Sequence, residues 1–359
     1  MSSPEFSGRF LLPGPVEVHP DVLAAMTRPI MSHRGPAMAA LLAGMQPTLQ
    51  RLFGTSRPVL IATCSATGLL EGAIRAGVEQ RVLVAVGGYF GERLAQIAER
   101  CGKEVVRVMV PEGRTIEPSH LARFLEGPEV DAVAVVHSET STGALAPLAE
   151  LAAEVRRHDD VLLLVDAVSS LGAVPIEADA WDTDFIGTGS QKALALPPGL
   201  ALGVASQRMM ERSERIRDRG WYMDLGLLDQ AAREGLPTQT PAISLIYALD
   251  AQLRRIEAEG LERRWARHAT MARMVAEWCD ASERFRLLAV PGRRSAAVSA
   301  LETREAAAPL LARLAVRGWT LASGLPPLDE RVIRMGHMGD VQPEHVAALL
   351  DVLGEAAEA

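Results

Sequence analysis

The sequence predicts an α/β protein with a large domain, built on a mainly parallel sheet flanked by helices, and a smaller C-terminal α+β domain. The first observation behind this prediction is that short apolar runs alternate with amphipathic helical segments from about residue 59 to residue 206. The second is that these runs are almost continuously apolar, as strands covered by helices on both faces are. The third is that the alternation stops near residue 241, where a long helical segment begins.

Seven strand-like runs define the expected sheet. They are VLIAT (59–63), RVLVAV (81–86), EVVRVMV (104–110), VDAVAVVH (130–137), VLLLVDAV (161–168), TDFIGTG (183–189) and LALGVAS (200–206). Helices are predicted to start near Ser65, to run from Tyr89 to Cys101 and to cover about 147–157. Because ligands of open parallel sheets bind at the carboxyl ends of the strands, we expect the functional site at that edge.

The part after residue 240 predicts two consecutive long helices and a second domain. The first helix starts with Pro241 and stops at Gly260, and the second covers about 261–280. Short strands follow near 285–289, 295–301 and 331–335, with helices near 304–317 and 343–354. We therefore predict an N-terminal arm at 1–20, a large domain at 21–255 and a small domain at 256–359.

The composition is that of a globular protein. Hydrophobic residues make up 48% of the 359 residues and charged residues 23%. The net charge of −8 and the pI near 5.6 argue against a general nucleic-acid binder. Cys64, Cys101 and Cys279 are scattered, give no metal-ligand spacing and fit a reducing compartment, so we expect a cytoplasmic protein without a metal. No apolar stretch reaches the ~18–20 residues that a membrane span needs.

Two charged residues stand where apolar strands end. Asp166 is the last residue of the run VLLLVD, and Lys192 is the third residue after the run TDFIGTG. Burying either charge alone costs several kcal/mol, so each needs a partner. A surface lysine or a structural Asp–Lys ion pair is the simplest interpretation, and a functional amine with its carboxylate is the other.

Two further strand ends carry groups suited to a ligand. Ser65 and Thr67 open a helix directly after a strand, which is either an ordinary N-cap or an anion site. Phe90 lies at the next strand-to-helix junction, as a core anchor or as an aromatic face over a ring. An anion site, an aromatic face, a carboxylate and a lysine at successive strand ends match what pyridoxal phosphate needs.

Seven stretches carry a resemblance to a known family. They are LLPGPVEVHPDVL, SHRG, GYFGERLAQIAERCG, HSETSTGALAPL, VDAVSSLGAVPIEAD, GSQKAL and VIRMGHMGD, in family order from about residue 11 to residue 340. The sequence resembles the class V aminotransferases of pyridoxal-phosphate fold type I, in the alanine/serine–glyoxylate aminotransferase branch. The resemblance implies the large and small domains of that fold and pyridoxal 5′-phosphate as the cofactor.

The resemblance implies roles around the cofactor ring. Lys192 matches the lysine that holds the cofactor as a Schiff base, and Asp166 matches the partner of the pyridine nitrogen. Val168 would pack on the ring face opposite Phe90. Ser141 matches the hydroxyl that contacts the ring oxygen, with Thr142 as the competing choice.

Phosphate contacts are implied for Ser65, Ala66, Thr67 and Gln191. The family commonly has Gly-Ser-Gly where this chain has Cys64-Ser65-Ala66. Glycine allows a positive φ and a close approach to phosphate, so Ala66 is expected to shift this loop.

A further phosphate ligand is implied to come from a partner subunit. Thr240 matches this position, and Thr238 matches it if this stretch is aligned with the family two residues earlier. The resemblance therefore implies a homodimer whose two active sites are shared between the subunits.

Two arginines are candidates for the substrate. Arg334 matches the residue that binds the substrate α-carboxylate through two parallel hydrogen bonds, the alternative being a local pair with Asp340. Arg34, in SHRG, is either a surface charge or the site of a second anion, since phosphoserine and aminoethylphosphonate aminotransferases carry a similar His-Arg.

The resemblance implies transamination by ping-pong exchange, with Lys192 moving the proton. L-alanine or L-serine is the expected amino donor, and glyoxylate or pyruvate the expected acceptor. Desulfuration is not expected. Cysteine desulfurases of the same class need a persulfide cysteine on a loop in the C-terminal part, and the corresponding stretch here, LASGLPPLDE, has no cysteine. An aminotransferase for a phosphorylated or phosphonate substrate, and a domain that binds pyridoxal phosphate without turnover, remain as alternatives.

Overall fold

The computed structural model describes residues 6–358, in which helices surround a seven-stranded sheet, a four-stranded sheet and a two-stranded sheet. The helices are α1 (Pro20–Ala25), α2 (Pro36–Phe53), α3 (Ala66–Gly77), α4 (Tyr89–Arg100), α5 (Pro118–Leu125), α6 (Leu148–Val155), α7 (Gln207–Arg215), α8 (Leu225–Glu234), α9 (Ile243–Glu259), α10 (Leu261–Asp280), α11 (Ala307–Val316) and α12 (Pro343–Glu358). The strands are β1 (Leu60–Ala62), β2 (Arg81–Val86), β3 (Glu104–Met109), β4 (Ala132–Val136), β5 (Ser138–Glu139), β6 (Ala144–Leu145), β7 (Leu162–Asp166), β8 (Phe185–Gly189), β9 (Ala201–Ala205), β10 (Phe285–Leu287), β11 (Val298–Thr303), β12 (Ala322–Ser323) and β13 (Val332–Gly336). None of the helices within residues 6–358 combines the length and apolarity of a membrane span.

The large sheet contains all seven strands predicted from the sequence, in the order β1-β9-β8-β7-β4-β2-β3. Strands β8, β7, β4, β2 and β3 pair in parallel, whereas β9 is antiparallel to both of its neighbours, β8 and β1. Every strand of this sheet except β9 therefore runs in one direction. The prediction of a mainly parallel sheet is confirmed, and one edge of the sheet (the carboxyl edge) collects the ends of six strands.

Helices cover both faces of the large sheet because alternate strand residues point to opposite sides. In β2, Leu83 packs into a buried cluster with residues of α2, α5, α6 and α9. Its neighbours Val82 and Val84 pack into a second cluster with α3, α4, α7 and α8. Each fully buried leucine or valine contributes about 1.5–3 kcal/mol, so the two apolar layers hold the carboxyl edge rigidly.

The small domain has its own sheet and core. Strands β10, β11, β13 and β12 form an antiparallel sheet, and α10, α11 and α12 pack in its apolar cluster. Leu11 of the N-terminal segment is buried in the same cluster. Its backbone N–H donates to the Thr320 carbonyl at 2.9 Å, so the N-terminal arm is fastened to the small domain.

The connecting helix differs slightly from the prediction. Helix α9 begins at Ile243 rather than at Pro241, because Ala242 is the N-cap residue with a non-helical ψ of 80°, and its N–H bonds to the hydroxyl of Thr63. Ile256 still packs in the core of the large domain. The domain limits at residues 20 and 255 stay predictions.

Candidate active site

One cavity lies at the carboxyl edge of the large sheet. The space inside it, counted together with its open mouth, is about 590 Å³. Eight of the predicted site residues line it: Ser65, Ala66, Thr67, Phe90, Asp166, Val168, Gln191 and Lys192. They follow β1, β2, β7 and β8, so the shared direction of these strands brings them together.

Lys192 is buried at 7% exposure, next to Pro13 and Gly14 of the N-terminal segment. Its Nζ donates a hydrogen bond to the carbonyl oxygen of Pro13. A Cβ at Gly14 would lie 2.4 Å from the Lys192 Cδ, and Gly14 has a φ of +105°. Only glycine therefore lets the arm pass this close to the lysine stem.

The pKa of Lys192 falls to about 8, first because burial disfavours the ammonium and then because the Arg334 guanidinium repels it. Asp166 and Glu139 oppose this shift. A lysine amine that is partly neutral near pH 8 is a usable nucleophile and proton carrier. The interpretation of Lys192 as a solvated surface charge is wrong.

Asp166 ends β7 with its carboxylate buried beside the cavity. Burial raises its pKa to about 6, against the effect of the Val168 N–H, which donates to its Oδ1 at 2.9 Å. The carboxylate is thus still mainly ionised at neutral pH. Such a group can hold a proton on a ligand nitrogen that points at it.

The start of α3 forms the polar end of the cavity. Ser65 is its N-cap residue, but its side chain makes no capping hydrogen bond, so the hydroxyl is not used by the helix. Ala66 is already helical and buried, and this position therefore does not need the positive φ that only glycine adopts easily. The free N–H groups and the positive end of the helix dipole favour an anion here.

Ser141 lies outside the cavity, and Thr140 lines it instead. The Ser141 hydroxyl donates to Glu139 at 2.5 Å and accepts the N–H of Tyr89 at 3.0 Å. Thr142 is buried but is not part of the lining either. Of the three hydroxyl residues in this turn, Thr140 is the one placed to meet a ligand.

Arg334 is buried near Lys192 and does not pair with Asp340. Its Nε donates to the Ser323 carbonyl at 2.8 Å, whereas Asp340 accepts hydrogen bonds from Gln252 and Arg264. Within residues 6–358, the two Nη groups of Arg334 have no hydrogen-bond partner. Burial lowers the pKa of Arg334, and the Glu139 carboxylate acts against this shift.

Two predicted residues lie away from the cavity. The side chains of Arg34 and Thr240 are exposed, Arg34 just before α2 and Thr240 just before α9. Thr238 lines a separate, mostly apolar pocket with Leu42 and Ile246. The roles of Arg34, Thr238 and Thr240 stay predictions.

The sequence analysis missed several residues of the site. Arg93 lines the cavity, with its Cζ 5.2 Å from the centroid of the Phe90 ring. Arg93 follows Phe90 by three residues in α4, and residues three apart share one helix face, so the sequence could have indicated Arg93. Ser169 also lines the cavity, and its hydroxyl lies 2.6 Å from that of Thr140. No local pattern indicated that contact, because the two residues come from different loops.

The family described as aminotransferase class-V matches residues 61–323 of the sequence. The chain belongs to the class-V aminotransferase family. It is a pyridoxal-phosphate-dependent enzyme that transfers an amino group between an amino acid and a 2-oxo acid.

Three known proteins illustrate the relationship. The chain is 32% identical to the soluble hydrogenase small subunit of a Synechococcus species, over 96% of this chain and 91% of that protein. It is 33% identical to the L-aspartate–glyoxylate aminotransferase of Paracoccus denitrificans, over 92% of this chain and 86% of that protein. The crystal structure of alanine–glyoxylate aminotransferase from a Nostoc species matches with a TM-score of 0.91 at 32% identity, over 99% of this chain and 96% of that one.

The residues of the cavity fit pyridoxal phosphate. A buried amine of lowered pKa suits its aldehyde, a buried carboxylate suits its pyridine nitrogen, and a helix N-terminus suits its phosphate. The Lys192 Nζ lies 5.7 Å from the centroid of the Phe90 ring. Phe90 is therefore close enough to contact the pyridine ring of a cofactor held by Lys192.

We predict that cofactor-free protein reacts with pyridoxal phosphate faster as the pH rises. The rate should grow about tenfold per pH unit below pH 8 and level off above it, because only the neutral Lys192 amine attacks the aldehyde. Stopped-flow absorbance between pH 6 and pH 9 measures this.

The chain offers a matched control, because Lys103 and Lys192 are its only two lysines. After borohydride reduction, Lys103→Ala should retain the cofactor adduct and Lys192→Ala should lack it. A rate that does not change with pH, or an adduct on Lys103, would contradict the prediction.

Proposed function

We propose that this aminotransferase takes the amino group of a small L-amino acid, alanine or serine, and gives it to glyoxylate or pyruvate in a ping-pong exchange. The observation that carries the proposal is the end of the buried Arg334 guanidinium beside Lys192, which has no hydrogen-bond partner within residues 6–358. A planar guanidinium binds a carboxylate through two parallel hydrogen bonds. Amino donors and 2-oxo acceptors share an α-carboxylate, so one arginine serves both halves of the exchange.

Pyridoxal phosphate, when bound, supplies the aldehyde and the electron-withdrawing ring. Lys192 holds the cofactor and, once its amine is free, moves the proton that leaves the substrate Cα. Asp166 keeps the proton on the pyridine nitrogen. Phe90 and Val168, which both line the cavity, would cover the two faces of the ring.

The remaining contacts hold the cofactor in place. The N–H groups at the start of α3, with Ser65, Thr67 and Gln191, bind the phosphate. Thr140 rather than Ser141 would contact the ring oxygen, since Thr140 lines the cavity. These contacts exclude water and orient the Cα bond that breaks.

A panel of substrates tests the proposed function. Purified protein with bound cofactor is mixed with single amino acids, and the loss of its visible absorbance is followed in one half-reaction. We expect alanine or serine to react fastest, and glyoxylate or pyruvate to restore the absorbance. A faster reaction with O-phosphoserine, aminoethylphosphonate or aspartate would replace the proposed donor, and no reaction with any amino acid would indicate binding without turnover.

We predict that Arg334→Lys lowers kcat/KM for both the amino donor and the 2-oxo acceptor, by at least about tenfold. The charge is kept, but a single ammonium cannot make the two parallel hydrogen bonds. Steady-state kinetics with each substrate varied in turn measures the effect.

Arg331→Lys is the matched control for Arg334→Lys. Arg331 stands just before β13, but it pairs with Glu302 and Glu112 at the surface. The control should keep parental kinetics, and both variants should keep the bound cofactor. Parental kcat/KM in Arg334→Lys would assign the carboxylate to another group, with Arg34 as the next candidate.

We further propose a homodimer with shared sites, in which Thr240 of one subunit reaches the phosphate in the other. The exposed Thr240 side chain and the apolar pocket around Thr238 support this proposal. The three cysteines are free, which is consistent with a reducing compartment such as the cytoplasm.

Mixed dimers test the shared site. Lys192→Ala chains and Thr240→Ala chains are each expected to have low activity alone. Unfolding them together and refolding the mixture should restore activity, because each mixed dimer then contains one intact site. A monomer by analytical ultracentrifugation with full activity, or no gain on mixing, would contradict the prediction.

A further inference from the structure

Helix α4 has no cap of its own. Its N-cap residue is Gly88, so the first N–H groups of the helix have to find acceptors elsewhere. The N–H of Tyr89 bonds to the Ser141 hydroxyl at 3.0 Å. The N–H groups of Phe90 and Gly91 bond to Glu139 Oε2 at 3.2 and 3.0 Å. The helix is thus capped by two side chains from a distant turn.

The Glu139 carboxylate also holds its own turn together. Its Oε1 accepts the N–H of Ser141 at 3.0 Å and the Ser141 hydroxyl at 2.5 Å. Glu139 is only 5% exposed, so these donors stabilise a charge that is out of contact with bulk water. One carboxylate therefore fastens the start of α4 to the turn at residues 139–143.

Gly88 makes this close approach possible. A Cβ at that position would lie 2.3 Å from the Ser141 Oγ and 2.7 Å from the Glu139 Cδ. Any side chain at residue 88 would push the turn away from the helix. The glycine before Tyr89 is explained by this contact and not by helix termination.

The two segments that Glu139 joins each carry a residue that lines the cavity. Phe90 comes from the start of α4, and Thr140 comes from the turn. In the cofactor site described above, Phe90 covers the ring face and Thr140 meets the ring oxygen. The contact at Glu139 therefore sets the position of one relative to the other.

We propose that Glu139 is a positioning residue, which fixes Phe90 and Thr140 in one arrangement and so determines the tilt of the cofactor ring over Lys192. This inference rests on pyridoxal phosphate occupying the cavity. It does not depend on which amino acid is the donor. Catalysis is sensitive to such tilts, since the breaking bond has to be aligned with the ring.

Glu139→Gln is the main test. The amide keeps the size of the side chain, but its NH2 end would face N–H or O–H donors of Ser141 or of the α4 start. We expect the visible circular dichroism of the bound cofactor to weaken and its dissociation constant to rise several-fold. We expect kcat to fall at least about tenfold while KM for the amino donor changes less than about twofold.

Glu92→Gln is the matched control. Glu92 is also in the first turn of α4, but it pairs at the surface with Arg107. This variant removes a carboxylate from the same turn without touching the residues at positions 139–143. Its circular dichroism and kcat should remain parental.

Two milder variants cover the case in which Glu139→Gln does not fold. Glu139→Asp keeps the charge at a shorter reach, and Ser141→Ala removes the acceptor for Tyr89 and one donor to Glu139 but leaves the carboxylate in place. Both should shift the circular dichroism in the same direction with a smaller loss of kcat.

The inference is overturned if the folded variants at residues 139 and 141 show the parental cofactor signal and kcat, even if their melting temperature falls. A parent protein that does not bind pyridoxal phosphate at all would instead refute the cofactor assignment. The visible spectrum of the parent protein therefore distinguishes a wrong cofactor assignment from a wrong role for Glu139.

Discussion

Among residues 6–358, no carboxylate makes a hydrogen bond to the buried Lys192 ammonium, and most of the site follows from this constraint. Its Nζ bonds to a neutral backbone carbonyl at Pro13, and its stem packs on Gly14. A buried cation with so little compensation loses stability as an ammonium, and its pKa accordingly falls to about 8. The N-terminal arm thus contributes to the reactivity of a residue in the large domain.

The loop that carries Lys192 also contacts the small domain. The residue after Lys192, Ala193, accepts a hydrogen bond from Arg264 Nη2 at 2.7 Å. Arg264 is 1% exposed, and its Nη1 bonds to Asp340 Oδ1 at 3.2 Å. The Arg264 and Arg255 guanidinium groups hold the pKa of Asp340 below its usual range, although burial acts the other way. This buried ion pair keeps the loop that carries Lys192 in register with the small domain that carries Arg334.

The strands of the large sheet and the cavity residues Ser65, Thr67, Phe90, Asp166 and Lys192 could be predicted because each depends on local sequence, whereas the resemblance to the family was needed for Ala66, Val168 and Gln191. An apolar run predicts a buried strand, and the residue that follows it lies at the carboxyl edge whatever the rest of the chain does. The prediction chose Ser141 where Thr140 lines the cavity, because neighbouring residues of a turn differ in direction and the sequence does not tell which one faces inward. Glu139 was missed for a related reason, since the helix that it caps begins about fifty residues earlier.

The sequence by itself determined the order of strands and helices, the identity of the lysine and carboxylate at two strand ends, and the family. Those properties depend on hydrophobic periodicity and on short motifs, which a linear chain displays directly. Only the tertiary structure decided that the Pro13 carbonyl meets the Lys192 amine, that Arg334 does not pair with Asp340 and that Glu139 caps α4. The contacts of Pro13 with Lys192 and of Glu139 with α4 join residues far apart in the chain, and packing and the need to satisfy buried polar groups select their partners.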